Sequence, residues 1–237
     1  MNNPKPIAVI TGASTGIGEQ ISLKLSCSGF YVVLISRSKG KLLKVQEKIE
    51  DLGNECQILP ADISDPDLLS YIEDQIKFPD KVEILVNNAG IGFFNKIEDV
   101  TIKDWDQQIN TNLRGSFLMS QFFIPYMKTN KSGKILFVNS VAGLSPYPFA
   151  SAYVASKYGL TGLSSSLREE LREYNIKVIS VHPGAVNTPL WDKSESGFPR
   201  DEMLLAEDVS DTIVQAILSP GNVVCEEIII RRTAGDF

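Results

Sequence analysis

Residues 10–18, Ile10-Thr11-Gly12-Ala13-Ser14-Thr15-Gly16-Ile17-Gly18, decide how the chain is read, and they admit two readings. Gly12 to Gly16 fit G-x-S-x-G, the turn that presents a nucleophilic serine in hydrolases. The same residues, carried to Gly18, form a glycine-rich turn that lets a phosphate approach backbone N–H groups at a helix start. The first reading makes Ser14 a nucleophile. The second makes it a loop residue beside a cofactor.

The rest of the chain separates them. An oxyanion-hole loop must come from an earlier strand, yet little chain precedes Thr11, and the sole histidine available as base is His182. The order Ser14…Asp…His182 stays formally allowed. The dinucleotide reading has more behind it. A strand, a glycine turn and a helix open the chain, and the next strand ends about 20 residues after Gly18, where a Rossmann unit meets the adenosine ribose.

Strand-like apolar runs recur at Ile7–Ile10, Tyr31–Ile35, Gln57–Leu59, Ile84–Val86, Ile135–Val138, Val178–Val181 and Ile228–Ile230. Most lack polar alternation, as expected of strands covered on both faces. Between them the period is helical. Leu42, Val45, Ile49 and Leu52 share one face that Gly53 ends, and Thr101 with Asp104 resembles a capping box. The expected fold is α/β: a single doubly wound Rossmann-type domain, residues 1–237, with a parallel, roughly seven-stranded sheet and helices on both faces.

Composition narrows the function classes. A net charge of −6 argues against nucleic acid or an anionic membrane as partner. Cys27, Cys56 and Cys225 match no paired spacing, so neither a disulfide framework nor a cysteine-rich metal site is expected. The opening residues do not read as a signal peptide, and no apolar run approaches the roughly 20 residues that span a bilayer. These features point to a cytoplasmic protein that needs no metal.

Further motifs fall in register: Asn87-Asn88-Ala89-Gly90 after the fourth strand, Ser140 ahead of Tyr153-x-x-x-Lys157, and Pro183-Gly184 after the sixth. With Thr11-Gly12-x-x-x-Gly16-x-Gly18 they resemble the short-chain dehydrogenase/reductase family, from Pro6 to about Ile230. The C-terminal Ile228-Ile229-Ile230-Arg231-Arg232-Thr233-Ala234-Gly235-Asp236-Phe237 is more similar to its sepiapterin reductase-like and small carbonyl reductase members.

Tyr153 and Lys157 lie four apart, on one helical face. A nearby ammonium favours phenolate and draws the tyrosine toward a working pKa. The plainer reading is an amphipathic helix with two snorkelling side chains. Ser140 ends its strand where α/β sheets place ligands and can steady a developing alkoxide; a simple turn serine is the alternative. Asn112 continues a stripe through Trp105, Ile109 and Ser116, so it turns inward and needs partners.

By resemblance, Asn112, Ser140, Tyr153 and Lys157 form the catalytic set, with Asn112 holding a water that links Lys157 to solvent. The resemblance also assigns the cofactor site. Gly12, Ser14, Thr15, Gly16, Ile17 and Gly18 form its loop, and Asn88, Ala89 and Gly90 line the cleft. Asp62 contacts the adenine with Ile63 flanking it. Lys157 binds the nicotinamide ribose beside Tyr153, and Pro183, Gly184, Val186 and Thr188 hold the nicotinamide end.

Ser36 stands where an NAD enzyme has an acidic residue, with Arg37 and Ser38 after it, so NADP(H) is expected over NAD(H). A solvated basic helix start is the alternative for Arg37. Phe93, Phe94, Tyr147, Phe149 and a segment from Trp191 to Leu205 are expected to wall a small, weakly polar carbonyl or alcohol substrate. The resemblance implies a homodimer or homotetramer through the helices of Asn112 and Tyr153, using residues such as Leu118, Phe122, Leu163 and Leu167, and through the strand near Ile228. The alternative function is a nucleotide-binding sensor or scaffold of the same fold without turnover.

Overall fold

The computed structural model describes residues 5–65, 67–192 and 199–235. Seven strands, β1 (Ile7–Thr11), β2 (Tyr31–Ser36), β3 (Cys56–Pro60), β4 (Val82–Asn87), β5 (Gly133–Val138), β6 (Ile176–Pro183) and β7 (Glu227–Ile230), form one sheet. Their order is β3-β2-β1-β4-β5-β6-β7, and every pairing is parallel. Each expected strand is present, extended by a residue or more at its ends.

Parallel neighbours need crossovers, and helices supply them on both faces. One face carries α1 (Gly16–Cys27), α2 (Lys39–Asp51) and α7 (Ala206–Ile217); the other carries α3 (Leu68–Gln75), α5 (Gly115–Asn130) and α6 (Ser151–Leu171). Alternation along each strand divides the core. Ala8 and Ile10 pack with Ile21, Leu42 and Ile213, whereas Val9 packs on the opposite side with Ile72, Phe123 and Leu160.

Two local expectations change. Leu52 is 55% exposed rather than on the buried face of α2, because the helix ends at Asp51 and Gly53 turns the chain at φ +75°. Thr101 caps the short α4 (Ile102–Gln108) by accepting from the Asp104 N–H at 3.0 Å. The stripe predicted through Trp105 does not hold. A wider π turn at Ile109–Arg114 joins α4 to α5, so Trp105 faces outward at 38% exposure while Gln108, Asn112 and Ser116 turn inward. Such turns are common at functional sites.

The sheet reverses direction of growth between β1 and β4, and their carboxyl ends are tied across that break. Thr11 Oγ1 donates to the Val86 carbonyl at 3.3 Å and accepts from the Asn88 and Ala89 N–H groups at 3.0 and 3.1 Å. Asn88 Nδ2 donates to the carbonyls of Thr11 at 2.9 Å and Gly12 at 3.2 Å. A Cβ on Gly18 would run into the Gly12 carbonyl and this carboxamide. Gly18→Ala should therefore lower stability by about 1–3 kcal/mol. Gly162→Ala, in α6 with nothing near the added methyl, should raise it by about 0.5–1 kcal/mol. Urea unfolding of both variants checks the contrast.

Candidate active site

The expected site residues gather at the carboxyl edge of the sheet, where α/β folds place ligands. Gly12 (φ +65°) and Gly16 (φ +59°) take left-handed conformations that bend the chain from β1 into α1. A Cβ on Gly16 would lie 2.9 Å from Thr188 Cγ2, so this glycine also lets the loop after β6 close in. Thr15 is the N-cap of α1 but offers its first-turn N–H groups no side-chain acceptor. Those donors, at the positive end of the helix dipole, fit a phosphate.

Ser14 is not a nucleophile. Its hydroxyl accepts from Ser36 Oγ at 2.8 Å, and Ser36 Oγ accepts the Ser38 N–H at 3.3 Å. His182 is fully buried elsewhere, its Nδ1 3.1 Å from the Ser140 carbonyl and its Nε2 3.0 Å from Ser180 Oγ. Burial pushes its pKa down, which suits a packed neutral ring.

At the end of β2 the Arg37 guanidinium is 64% exposed and reaches within 3.8 Å of Asp62 Oδ2. Asp62 is oriented by Ser64, accepting from its N–H at 2.9 Å and its hydroxyl at 2.7 Å. The structure thus brings together two residues expected at the adenosine end, through a long exposed contact that contributes little by itself. Ile63 is buried beside Gly115, in the core, rather than standing free at a cleft wall.

On the other side of β4, Asn88 spends its amide holding the glycine loop. Gly90 faces Asn112 and Lys157: a Cβ there would lie 3.5 Å from Asn112 Oδ1 and 3.8 Å from Lys157 Nζ. Asn112 is fully buried; its Oδ1 accepts the Ile91 N–H at 2.8 Å. Its Nδ2 donates to the Ile91 carbonyl and to Ser156 Oγ, each at 2.9 Å. The carboxamide therefore pins the loop after Gly90 against α6.

The Ser140 hydroxyl lies near enough to the Tyr153 phenol to lower its pKa, and Ser140 Oγ accepts the Ala142 N–H at 3.1 Å. Lys157 is 4% exposed, donates to the Val138 carbonyl at 3.0 Å, and sits 5.7 Å from the Tyr153 ring centroid. Loss of water lowers its pKa to about 8. The expected downward pull of Lys157 on Tyr153 is not what governs that tyrosine. Burial raises the phenol pKa, and only the nearby Ser140 hydroxyl opposes it.

Pro183 ends β6, and the Gly184 N–H bonds the Ile230 carbonyl at 2.8 Å. The Val186 carbonyl accepts from Trp191 Nε1 at 3.1 Å. Of the expected aromatic walls, Trp191 stacks on Phe94 at 5.4 Å, and Phe94 meets Tyr153 edge-on at 5.5 Å. Tyr147 and Phe149 instead line a cleft of about 380 Å³ with Asn95, Lys96, Ile97, Glu98 and Ser151. Part of the segment from Trp191 to Leu205, residues 193–198, lies outside the described residues.

Gln108 and Arg200 belong to no motif in the sequence, and Thr11 enters only as the first residue of the glycine motif. Gln108 has a signal, four residues before Asn112, and its Oε1 accepts the Phe93 N–H at 3.0 Å. Among the described residues no group of His, Cys, Asp or Glu side chains is placed to hold a metal, and no helix is long and apolar enough to cross a membrane.

Comparison with known proteins agrees with this geometry. The short chain dehydrogenase family matches residues 6–197. A sepiapterin reductase of Chlorobaculum tepidum is 36% identical, over 98% of each chain. A D-beta-hydroxybutyrate dehydrogenase of Rhizobium meliloti is 35% identical, over 87% of this chain and 81% of its own. The structure of a metagenomic short-chain oxidoreductase in complex with NADP superposes with a TM-score of 0.84 at 32% identity, covering 97% and 98% of the two chains. An alcohol dehydrogenase from the archaeon Thermococcus sibiricus, complexed with 5-hydroxy-NADP, gives 0.87 at 26% identity and 96% coverage of both. With its seven parallel strands and its Ser140, Tyr153 and Lys157 gathered at one sheet edge, the chain belongs to the short-chain dehydrogenase family and is an oxidoreductase.

Proposed function

We propose that the protein moves hydride between NADP(H) and the carbonyl or secondary alcohol of a small, weakly polar substrate, with Tyr153 as acid and base. The observation that carries this reading is the grouping of Ser140, Tyr153 and Lys157 at one sheet edge, with Phe94 edge-on to the Tyr153 ring and stacked on Trp191. When bound, the nicotinamide supplies or accepts the hydride.

The chain's own residues do the rest. Ser140 Oγ can hold a substrate oxygen and steady the negative charge that develops on it. The raised pKa of Tyr153 keeps the phenol protonated at neutral pH, ready to donate to a carbonyl oxygen during reduction. Alcohol oxidation needs the phenolate, which the nearby Ser140 hydroxyl favours against burial. The Phe94–Trp191 pair gives the site an aromatic wall that suits planar ketones or diketones better than charged sugars.

NADP(H) is favoured because the end of β2 carries Ser36 where a carboxylate would repel a 2′-phosphate, with Arg37 exposed beside it. The Ser14, Ser36 and Ser38 groups already share hydrogen bonds there. Two of the solved relatives, 32% and 26% identical, are complexes of NADP or 5-hydroxy-NADP.

The surface supports an oligomer. Phe122, Leu163 and Leu167 lean on the core, but Phe117 and Tyr158 on α5 and α6 are 43% and 44% exposed. Ile229 on the edge strand β7 is 56% exposed. We infer a dimer or tetramer built on these surfaces.

Two measurements check these readings. Absorbance at 340 nm with a panel of ketones, diketones, aldehydes and phosphorylated sugars should fall fastest for the apolar carbonyl compounds, with NADPH favoured over NADH in kcat/KM. Arg37→Ala should cost NADPH about 30-fold, near 2 kcal/mol for a partly solvated charged hydrogen bond, and leave NADH nearly unchanged. A preference for NADH, or one untouched by the substitution, would remove Arg37 as selector. Light scattering at micromolar concentration should give a multimeric mass; a monomeric one refutes the assembly.

A further inference from the structure

We propose that Arg200 is a positioning residue that braces the loop after β6, so that Thr188 and Trp191 are held at the nicotinamide and substrate ends of the cleft. This rests on the functional reading above. Arg200 Nε and Nη2 both donate to Asn187 Oδ1, at 2.9 and 2.7 Å. Nη2 also donates to the Thr188 carbonyl at 3.0 Å, and Nη1 to Asp192 Oδ1 at 3.2 Å. One guanidinium thereby spans the short helical turn Pro189–Trp191 from its capping residue, Thr188, to the residue that follows it, Asp192.

What that turn carries faces the chemistry. Thr188 presses its methyl toward Gly16 of the cofactor loop. Trp191 bonds the Val186 carbonyl and stacks on Phe94, which touches Tyr153. The brace is itself anchored. The Leu204 N–H donates to the Ala185 carbonyl and the Asn187 N–H to the Leu204 carbonyl, each at 2.9 Å. Arg232 pairs with Glu202 at 2.8 Å from the segment after β7. A brace tied to β6 and to the chain's last segment can transmit rigidity to the turn it spans.

An exposed Arg200–Asp192 ion pair alone would contribute little. The bonds to Asn187 and Thr188 are what distinguish a brace from a surface pair, because they fix amide and backbone positions through a planar fork. A lysine has no such fork and cannot reach all three acceptors at once.

The test has one readout that needs no cofactor. The sequence contains two tryptophans, Trp105 and Trp191, so Trp105→Phe leaves Trp191 as sole reporter. In that background Arg200→Ala should red-shift the Trp191 emission of the free protein. It should also raise the NADPH Kd and the substrate KM about tenfold, with a smaller fall in kcat. Arg200→Lys should not rescue these values, and Asp192→Asn, which keeps an acceptor, should stay within twofold of the parent.

Unchanged emission would overturn the brace, and changed emission with an unchanged Kd would overturn its action on the cofactor end. Rescue by lysine would reduce the contact to simple charge and overturn the fork. A parent protein that binds neither NADPH nor NADH would instead sink the functional reading, and with it the cofactor half of this proposal.

Discussion

The clasp between Thr11 and Asn88 is the constraint on which the site depends. Strands β1 and β4 are neighbours in space although the sheet grows outward in opposite directions from them. Their carboxyl ends would splay into two loops without a tie. The Thr11 hydroxyl and the Asn88 carboxamide satisfy backbone groups on both sides of the break. The Asn88 carboxamide, with the Ala89 backbone and the Gly12 carbonyl, leaves no room for a Cβ at Gly12 or Gly18. The glycine pattern at residues 10–18 is thus set as much by packing against Asn88 and Thr188 as by any phosphate.

Asn112, Tyr153 and Lys157 inherit their positions from that frame. Asn112 fixes Ile91 just beyond the clasp and reaches Ser156 on α6, the helix that also carries Tyr153 and Lys157. Burial then shapes their chemistry in two directions. Desolvation raises the Tyr153 phenol and lowers the Lys157 ammonium, because each loses more solvation in its charged form. Their pKa values, close together in water, are thereby driven apart: the amine falls to about 8 while the phenol rises, so burial favours the neutral form of each. The hydrogen bond from Lys157 to the Val138 carbonyl anchors the amine at the end of β5.

Much of this was legible in the sequence, for physical reasons. Unbroken apolar runs such as Val32–Ile35 mark strands covered on both faces, and left-handed turns need Gly12 and Gly16. The spacing of Tyr153 and Lys157 survives because α6 is a regular helix. What was misread depended on irregular backbone or on distant packing. The π turn at Ile109–Arg114 shifts the helical phase, so the stripe through Trp105 pointed the wrong way although Asn112 is indeed inward. The Tyr153 pKa follows from burial by the whole fold, which no local spacing encodes. Arg200 belongs to no motif, and its bonds to Asn187 and Thr188 arise only when the chain returns beside β6.

The central claim is that the Tyr153 hydroxyl transfers the proton while the surrounding frame binds the cofactor without it. Tyr153→Phe removes that oxygen and keeps the ring against Phe94. The direct measurement is kcat for NADPH-dependent carbonyl reduction beside the NADPH Kd from fluorescence titration, in both proteins. The account predicts a loss of roughly 10²–10⁴-fold in kcat with Kd nearly unchanged. A loss below about tenfold, which by transition-state arithmetic is little more than one hydrogen bond, would contradict it.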